Sequence, residues 1–391
     1  MTTGPDPRAL TRALIRRPSV TPDDHGAIGV VAEALQALGF VCTPLTFQSP
    51  GKPAIANLFA KRGTGQPHFC FAGHTDVVSA GPVSGWTADP FAATEREGEI
   101  VGRGAVDMKG AIAAFVAACG QFLSEGGLAQ GGAISLLITG DEEGEACDGT
   151  VRVLDWMRER GERPDFCVVG EPSSSARLGD MIKIGRRGSL TGRLTVTGVQ
   201  GHVAYPQRAD NPIPALIAAL ARVAGRRFDD ATADFDASNL EITTVDVGNP
   251  ANNVIPAEAR AVFNIRFNTQ QTSQGLSDWL QGEVRAAMAG RTAHARLDIS
   301  VSGEPFLTKP GPLTKLMAQA IREVTGVEPA LSTTGGTSDA RFITRLCPVA
   351  EFGLVGQTMH KADERVAAAD IDALTRVYRR MLQLAFMRPA A

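Results

Sequence analysis

The chain has 391 residues, with 39 basic and 42 acidic side chains and a formal net charge of -3. That length exceeds what one hydrophobic core usually organises, so more than one domain is expected. The charge balance gives no nucleic-acid partner, the apolar stretches read as interrupted short of a bilayer span, so no membrane partner is expected, and the N-terminal "MTTGPDPRALTRALIRRPSV" lacks the apolar run of a secretory signal. Six scattered cysteines without a CxxC pair read as free thiols in a reducing compartment, which makes a cytoplasmic location the expectation.

In chain order, Thr21-Pro22 with Asp24 reads as a helix start, with a capping oxygen, a proline at the first position and an acid in the first turn. Ile28, Val31, Leu35 and Leu38 follow at helical spacing, and Gly39 ends the run. "AIANLFAKR" and "PHFCFAGH" read as strands. "DMKGAIAAFVAACGQFLSEGG" reads as a helix with Ile112, Phe115, Cys119 and Phe122 on one face. "AISLLITG" is a short apolar strand, a helix follows around Val151 to Arg160, and "DFCVVGE" is again a strand. Strands alternating with helices predict an α/β domain, a mostly parallel sheet with helices on both faces.

The middle of the chain breaks this pattern. "SLTGRLTVTG", "NPIPALIAALARVAG", "LEITTVDVG", "ARAVFNIRFN", "SQGLSDWLQGEVRAAMAG" and "HARLDISVSG" read as strand, helix, strand, strand, helix and strand. That β-α-β-β-α-β order makes a domain of about 110 residues on its own. The expected organisation is therefore a main domain of residues 1–187 and 302–391 interrupted by an inserted domain of residues 188–301.

In open parallel sheets, functional groups gather where strands deliver their carboxyl ends. His74 and Asp76 follow "HFCFAG", Asp107 lies in "GRGAVDMKG", Asp141, Glu142 and Glu143 follow "AISLLITG", Glu171 follows "DFCVVG", and His360 closes "FGLVGQTMH". A lone turn histidine or a solvated acidic turn would account for each of these separately. Together they are harder to explain away, because adjacent carboxylates repel unless a cation or a shared proton relieves them. Two histidines and several carboxylates suit a divalent site with mixed N and O ligands, and the surplus of acid favours two metals with one carboxylate between them. Asp76, two residues from His74, is placed to accept from its second ring nitrogen. On spacing alone, a metal hydrolase stands beside other enzymes built on parallel sheets.

"GHTDVV", "GRGAVDMKG", "TGDEEGEA", "VGEPSS" and "MHKADE", in that order, resemble the signatures of the M20 family of dinuclear-zinc amidohydrolases and peptidases, from about Leu10 to Gln383. The resemblance implies that His74 and Glu171 bind one zinc, that Glu143 and His360 bind the other, that Asp107 bridges them, that Asp76 orients His74 and that Glu142 is the general base. Cobalt suits the same ligands. It further implies a cis bond between Asp107 and Met108 and a homodimer formed through the inserted domain. "IKIGRRGSL", "GHVAYP", "NNVIP", "FNIRF" and "GGTSDARF" resemble the branch of that family that cleaves the amide of N-succinyl-LL-2,6-diaminopimelate. An acetylornithine deacetylase or a dipeptidase of the same family would share metals and base and differ only in the pocket.

For such a polycarboxylate amide, Arg186 and Arg266 are the candidate carboxylate partners, with Asn253, Thr337 and Ser338 as further substrate contacts. The resemblance implies that His202 reaches the partner subunit's site as an oxyanion donor. His25, His68 and His294 lack a supporting constellation. The chain departs from the common family pattern at Pro82 after Gly81, at Gly140 where serine is frequent, and at Asp363 where asparagine is frequent, none of which removes a proposed ligand or the base. A binding protein that had lost catalysis would be marked by a missing ligand or base, and none is missing.

Overall fold

The structure, a computed structural model, describes residues 4–386. The chain divides into two compact units, one of Met1–Ile184, Thr308–Ser332 and Ser338–Ala391, the other of Gly185–Leu307 and Thr333–Thr337. Residues 1–3 and 387–391, at the ends of the expected main domain, lie outside the described residues.

The first unit is built on an eight-stranded sheet. Its strand order is Val41–Phe47, Ile55–Thr64, Gly132–Thr139, His68–His74, Phe166–Val169, Val349–Glu351, Met181–Lys183 and Ala330–Ser332. The centre, from Gly132–Thr139 to Val349–Glu351, is parallel, and antiparallel pairings occur toward both edges. His68–His74 and Gly132–Thr139 are buried at every position, as strands are when both faces of a sheet are covered. The helices Gly110–Ser124 and Ala368–Phe386 pack on each other and contribute Phe115 and Tyr378 to an aromatic cluster under the sheet. There the Phe71 and Phe115 rings stack at 4.2 Å and the Tyr378 hydroxyl donates to the Phe352 carbonyl at 2.6 Å.

Three sequence expectations change. The helix expected from Thr21-Pro22 begins at Ala27, with Gly26 at its N-cap position and Asp24 just ahead of it. The two Asp24 carboxylate oxygens accept from the backbone N–H groups of Gly26 and Ile28 at 2.8 and 2.9 Å, while Thr21 N–H is drawn away to the Val77 carbonyl. The helix Pro7–Ile15 was not anticipated, although Asp6 and Pro7 supply its cap and first position. Ala105–Ser124 is long and apolar enough by composition to cross a membrane, contrary to the sequence expectation. Of its apolar 18-residue window 89% is buried, where Gly110–Ser124 packs against Pro7–Ile15, Ala368–Phe386 and the sheet.

The second unit has the expected β-α-β-β-α-β order. Its antiparallel sheet runs Asn239–Asp246, Glu258–Phe267, Gly188–Thr197 and His294–Gly303. Burial alternates along Glu258–Phe267, so one face of the sheet is a core face. Leu216, Leu220 and Val223 of the helix Pro212–Ala224, with Leu276, Leu280 and Val284 of Ser273–Met288, cover that face. The unit extends beyond the expected 188–301 because Gly185–Arg186 pairs with Phe306–Leu307. It also takes in Thr333–Thr337, where the Thr334 carbonyl accepts from Arg186 Nη1 at 3.0 Å. All six cysteines are free thiols.

Candidate active site

The three central parallel strands of the first unit end side by side. His74 pairs with Thr139, and Ala72 pairs with Val169. The chain turns out of each strand there, so His74, the Asp141–Glu143 loop and Glu171 arrive at one edge of the sheet. Gly73 and Gly170 come immediately before two of these residues for a packing reason. A Cβ at Gly73 would lie 2.5 Å from Met108 Cε, and one at Gly170 would lie 2.6 Å from both Met108 Cε and the Phe71 ring, so a larger residue at either position would make these side chains shift. The Asp107-Met108 peptide is cis. Asp107 and Met108 lie in the irregular turn Ala105–Lys109 that leads into the helix Gly110–Ser124. His360 comes from the far end of the chain, in a turn where its own φ is +61°.

These residues form two groups that share one carboxylate. His74 Nε2 lies 3.1 Å from Asp107 Oδ1 and 3.6 Å from Glu171 Oε1. His360 Nε2 lies 3.3 Å from Asp107 Oδ2 and 2.9 Å from Glu143 Oε1. Asp107 thus turns one oxygen to each histidine. Ligand atoms of His74, Asp107 and Glu171 lie within 4.8 Å of one another, as do those of Asp107, Glu143 and His360, and those of His74, Glu142 and Glu143.

Asp76 serves differently from the expectation. His74 Nδ1 donates to the Asp76 backbone carbonyl at 2.9 Å, and the Asp76 carboxylate is 3.7 Å away. That carboxylate accepts instead from the backbone N–H groups of Glu142 and Glu143 at 3.3 and 2.9 Å. The residue therefore fixes the imidazole through its main chain, which leaves Nε2 of the neutral ring turned toward the carboxylates, and fixes the acidic loop through its side chain.

The electrostatics fit a site built for cations. Hydrogen bonds with Asp107 and Glu143 raise His360 to about 10. Burial lowers His74, but its hydrogen bond with Asp107 and the nearby Glu171 carboxylate outweigh that and hold it well above the usual imidazole range. Burial raises the Asp107 carboxyl, yet the two histidines hold it below the ordinary range. Burial, and then the charge of Asp107, push Glu171 up to about 7, and burial raises Asp76 to about 7. Glu142 is raised well above the ordinary carboxyl range, first by burial and then by Glu171. Glu171 Oε1 is buried without a hydrogen-bond partner. A cluster that holds protons on both imidazoles and leaves a buried carboxylate oxygen unsatisfied is short of positive charge, and two divalent cations would supply it.

Of the substrate candidates, Ser338 is buried and its hydroxyl donates to Glu351 rather than standing open to a ligand. The others lie in the second unit. Arg186 is buried against Thr334. Arg266 stands opposite Ser189 and Asn239 in the sheet, and burial, then the neighbouring Arg187, lower its guanidinium pKa. Arg187, passed over in the sequence, donates to Asn239 Oδ1 at 3.0 Å. Thr337 is half-buried. Asn253 is exposed beside His202, its carbonyl accepting from Val203 N–H. His202 is exposed, and its Nδ1 accepts from Ala204 N–H at 3.0 Å, so in the neutral ring the proton sits on Nε2.

Sequence reasoning also passed over Glu364 and Arg103, a buried ion pair at 2.7 Å in the first unit. Both stand inside motifs already singled out, "MHKADE" and "GRGAVDMKG", so a charged residue close in sequence to a proposed ligand was the available signal. Asp363, the departure from asparagine, adopts φ +53°, a conformation both residues tolerate, and its Oδ1 accepts from the Thr87 N–H and hydroxyl at 2.8 and 3.0 Å.

A family model, peptidase family M20/M25/M40, matches residues 70–384. A protein of Methylobacterium nodulans named succinyl-diaminopimelate desuccinylase is 56% identical over 387 residues, covering 99% of this chain and 98% of its own. Among solved structures, an M20 family metallo-carboxypeptidase from Sulfolobus solfataricus superposes with a TM-score of 0.78 at 16% identity, over 98% of this chain and 99% of its own. A dinuclear metal-binding peptidase of the M20 family from Bacillus subtilis does so with a TM-score of 0.68 at 15% identity, over 97% and 96%. By the extent of the family match and the identity to its curated relatives, the chain belongs to peptidase family M20/M25/M40.

Proposed function

We propose that the chain is a metal-dependent amidohydrolase that cleaves N-succinyl-LL-2,6-diaminopimelate to succinate and LL-2,6-diaminopimelate. Asp107, with one oxygen toward His74 and the other toward His360, carries the chemistry of this reading. The name shared by curated relatives at 54 to 56% identity over nearly the full length supports the substrate.

In this reading His74 and Glu171 would hold one cation, Glu143 and His360 would hold another, and Asp107 would serve both. Zinc suits the donor set, and so does cobalt. Bound there, the cations supply the positive charge that polarises the amide carbonyl and acidifies water. Glu142 stands on the same loop as Glu143, with its backbone N–H on the Asp76 carboxylate. Its carboxylate takes a proton from the attacking water while the oxygen bonds to the succinyl carbonyl carbon. It then delivers that proton to the nitrogen as the C–N bond breaks and the amine leaves. A carboxyl already raised by burial and by Glu171 is suited to hold that proton between the two steps. Arg186 and Arg266 pair with substrate carboxylates through planar two-pronged hydrogen bonds, and Asn253 and Thr337 are further substrate contacts. The active form is a cytoplasmic homodimer joined through the inserted domain, and His202 donates its Nε2 proton to the oxyanion in the partner's site.

The test is comparative. Purified protein loaded with zinc is assayed on N-succinyl-LL-2,6-diaminopimelate, N-acetylornithine and a dipeptide. The succinylated substrate is expected to show the highest kcat/KM. A preference for either of the others overturns the substrate, and no hydrolysis of any amide by metal-loaded protein overturns the reaction class.

A further inference from the structure

Glu364 lies four residues after His360, and it is fully buried. Its carboxylate is saturated. Oε2 accepts from Arg103 Nη1 at 2.7 Å and from Gly104 N–H at 3.0 Å, and Oε1 accepts from Val106 N–H at 2.9 Å and from Asp107 N–H at 3.1 Å. Its own carbonyl accepts from Gly102 N–H at 2.8 Å, and the following strand Arg365–Ala367 pairs with Glu99–Val101. One side chain thus gathers the N–H groups of the turn that carries Asp107, while its main chain continues from the turn that carries His360.

We infer that Glu364 is the positioning residue that sets the shared carboxylate of Asp107 against His360, so that the site is formed before a cation arrives. The inference rests on the reading of Asp107 as the common ligand. Its physical basis is the turn Ala105–Lys109, whose Asp107 and Met108 depart from helical φ and ψ. The N–H groups of Val106 and Asp107 need an acceptor, and among the described residues the acceptor they share is Glu364. Both oxygens are needed. In Glu364→Gln one oxygen becomes an NH2 group that faces two N–H donors, either Val106 with Asp107 or Arg103 with Gly104. In Glu364→Asp the shorter side chain cannot span both pairs. The Arg103 guanidinium supplies the countercharge, and it is held in turn by the Ser79 carbonyl and by the Trp86 ring at 5.2 Å.

The experiment measures metal binding rather than turnover. Wild type, Glu364→Gln, Asp107→Asn and Tyr378→Phe are stripped with a chelator, checked for folding by circular dichroism and titrated with Co2+. Calorimetry gives affinity and stoichiometry, and the visible spectrum reports ligand geometry. Tyr378→Phe removes a buried hydrogen bond elsewhere in the unit and controls for general destabilisation. Glu364→Gln is expected to weaken at least one Co2+ site by roughly 10–100-fold, as loss of a residue that orients a ligand does. Its Co2+ spectrum should also change, while Tyr378→Phe binds as wild type. If Glu364→Gln keeps wild-type affinity and spectrum while Asp107→Asn loses them, the inference fails and the reading of the site stands. If Asp107→Asn itself binds two Co2+ ions as wild type does, the reading of Asp107 fails, and the inference with it. Hydrogen exchange on the unmutated protein covers the case in which Glu364→Gln does not fold. Protection of the peptide spanning residues 103–108 is expected to survive removal of metal, and its loss on chelation would show that metal, not Glu364, organises the turn.

Discussion

Glu142→Gln separates the proposed base from the proposed ligands. The substitution keeps side-chain length and shape and removes the group that accepts a proton. The acidic loop should not move, because Asp76 holds it through the backbone N–H groups of residues 142 and 143, at 3.3 and 2.9 Å, and these survive the change. Glu143 therefore keeps its place 2.9 Å from His360. Stability should hold or rise slightly, since burial and the charge of Glu171 both oppose ionisation of Glu142. A positioned proton-transfer group contributes roughly 10²–10⁴-fold. At about 1.36 kcal/mol per tenfold, the loss is about 2.7–5.4 kcal/mol in the activation barrier. The assay pairs kcat on the succinylated substrate with metal content by atomic emission on the same preparation. The expected result is full metal content with kcat down by that factor and KM little changed. Ligand atoms of Glu142 also lie within 4.8 Å of His74 and Glu143, so the rival role is a metal ligand. Loss of a metal equivalent in the mutant would assign that role, and wild-type turnover at full metal content would refute the base.

Arg266→Lys keeps the charge and loses the planar fork, so kcat/KM on the succinylated substrate should fall by roughly tenfold or more; equal values for mutant and wild type would argue against a direct contact. His202→Ala should retain its metals and turn over slowly, by roughly 3–4 kcal/mol at the transition state. Mixed with Glu142→Gln, it should regain activity as subunits exchange, because one site of each mixed dimer is then complete; exchange confirmed by mass without recovered activity rules out the shared site. His68 tests linkage away from the metals. Its ring is buried against Ser135 Oγ at 2.8 Å, and burial, then Lys61, lower its pKa below 6.5. The unfolded chain binds the proton more readily, so this residue's contribution to stability is present above 6.5 and is lost as pH falls below it. The Tm of His68→Gln should therefore fall less than that of wild type between about pH 8 and about pH 5, and equal falls would remove His68 from the account.

Much of the candidate site's placement was legible in the sequence because parallel-sheet chemistry sits at strand ends. "HFCFAGH", "AISLLITGDEE" and "DFCVVGE" each show an apolar run, a glycine and then a histidine or acid, and those residues do converge. The glycine before His74 lies under the Met108 side chain and the one before Glu171 under Met108 and the Phe71 ring, contacts that the sequence did not disclose. The inserted domain was legible for a related reason, since its strands alternate in burial and its helices carry one apolar face, patterns set by local periodicity.

What only the tertiary structure decided depends on backbone groups and on distant partners. Asp76 orients His74 through a carbonyl, and every residue has one, so sequence suggested the carboxylate instead. The start of the second helix moved to Ala27 because Asp24 found two N–H groups while Thr21 was drawn to Val77. Glu364 was passed over in the sequence, and only the fold shows its four acceptor bonds to a turn formed by residues 103–107. Side-chain type and spacing record which groups are present and which face they take. Which oxygen of Asp107 turns to which histidine is set by hydrogen bonds between segments remote in the chain, and those bonds leave no periodic trace in the sequence.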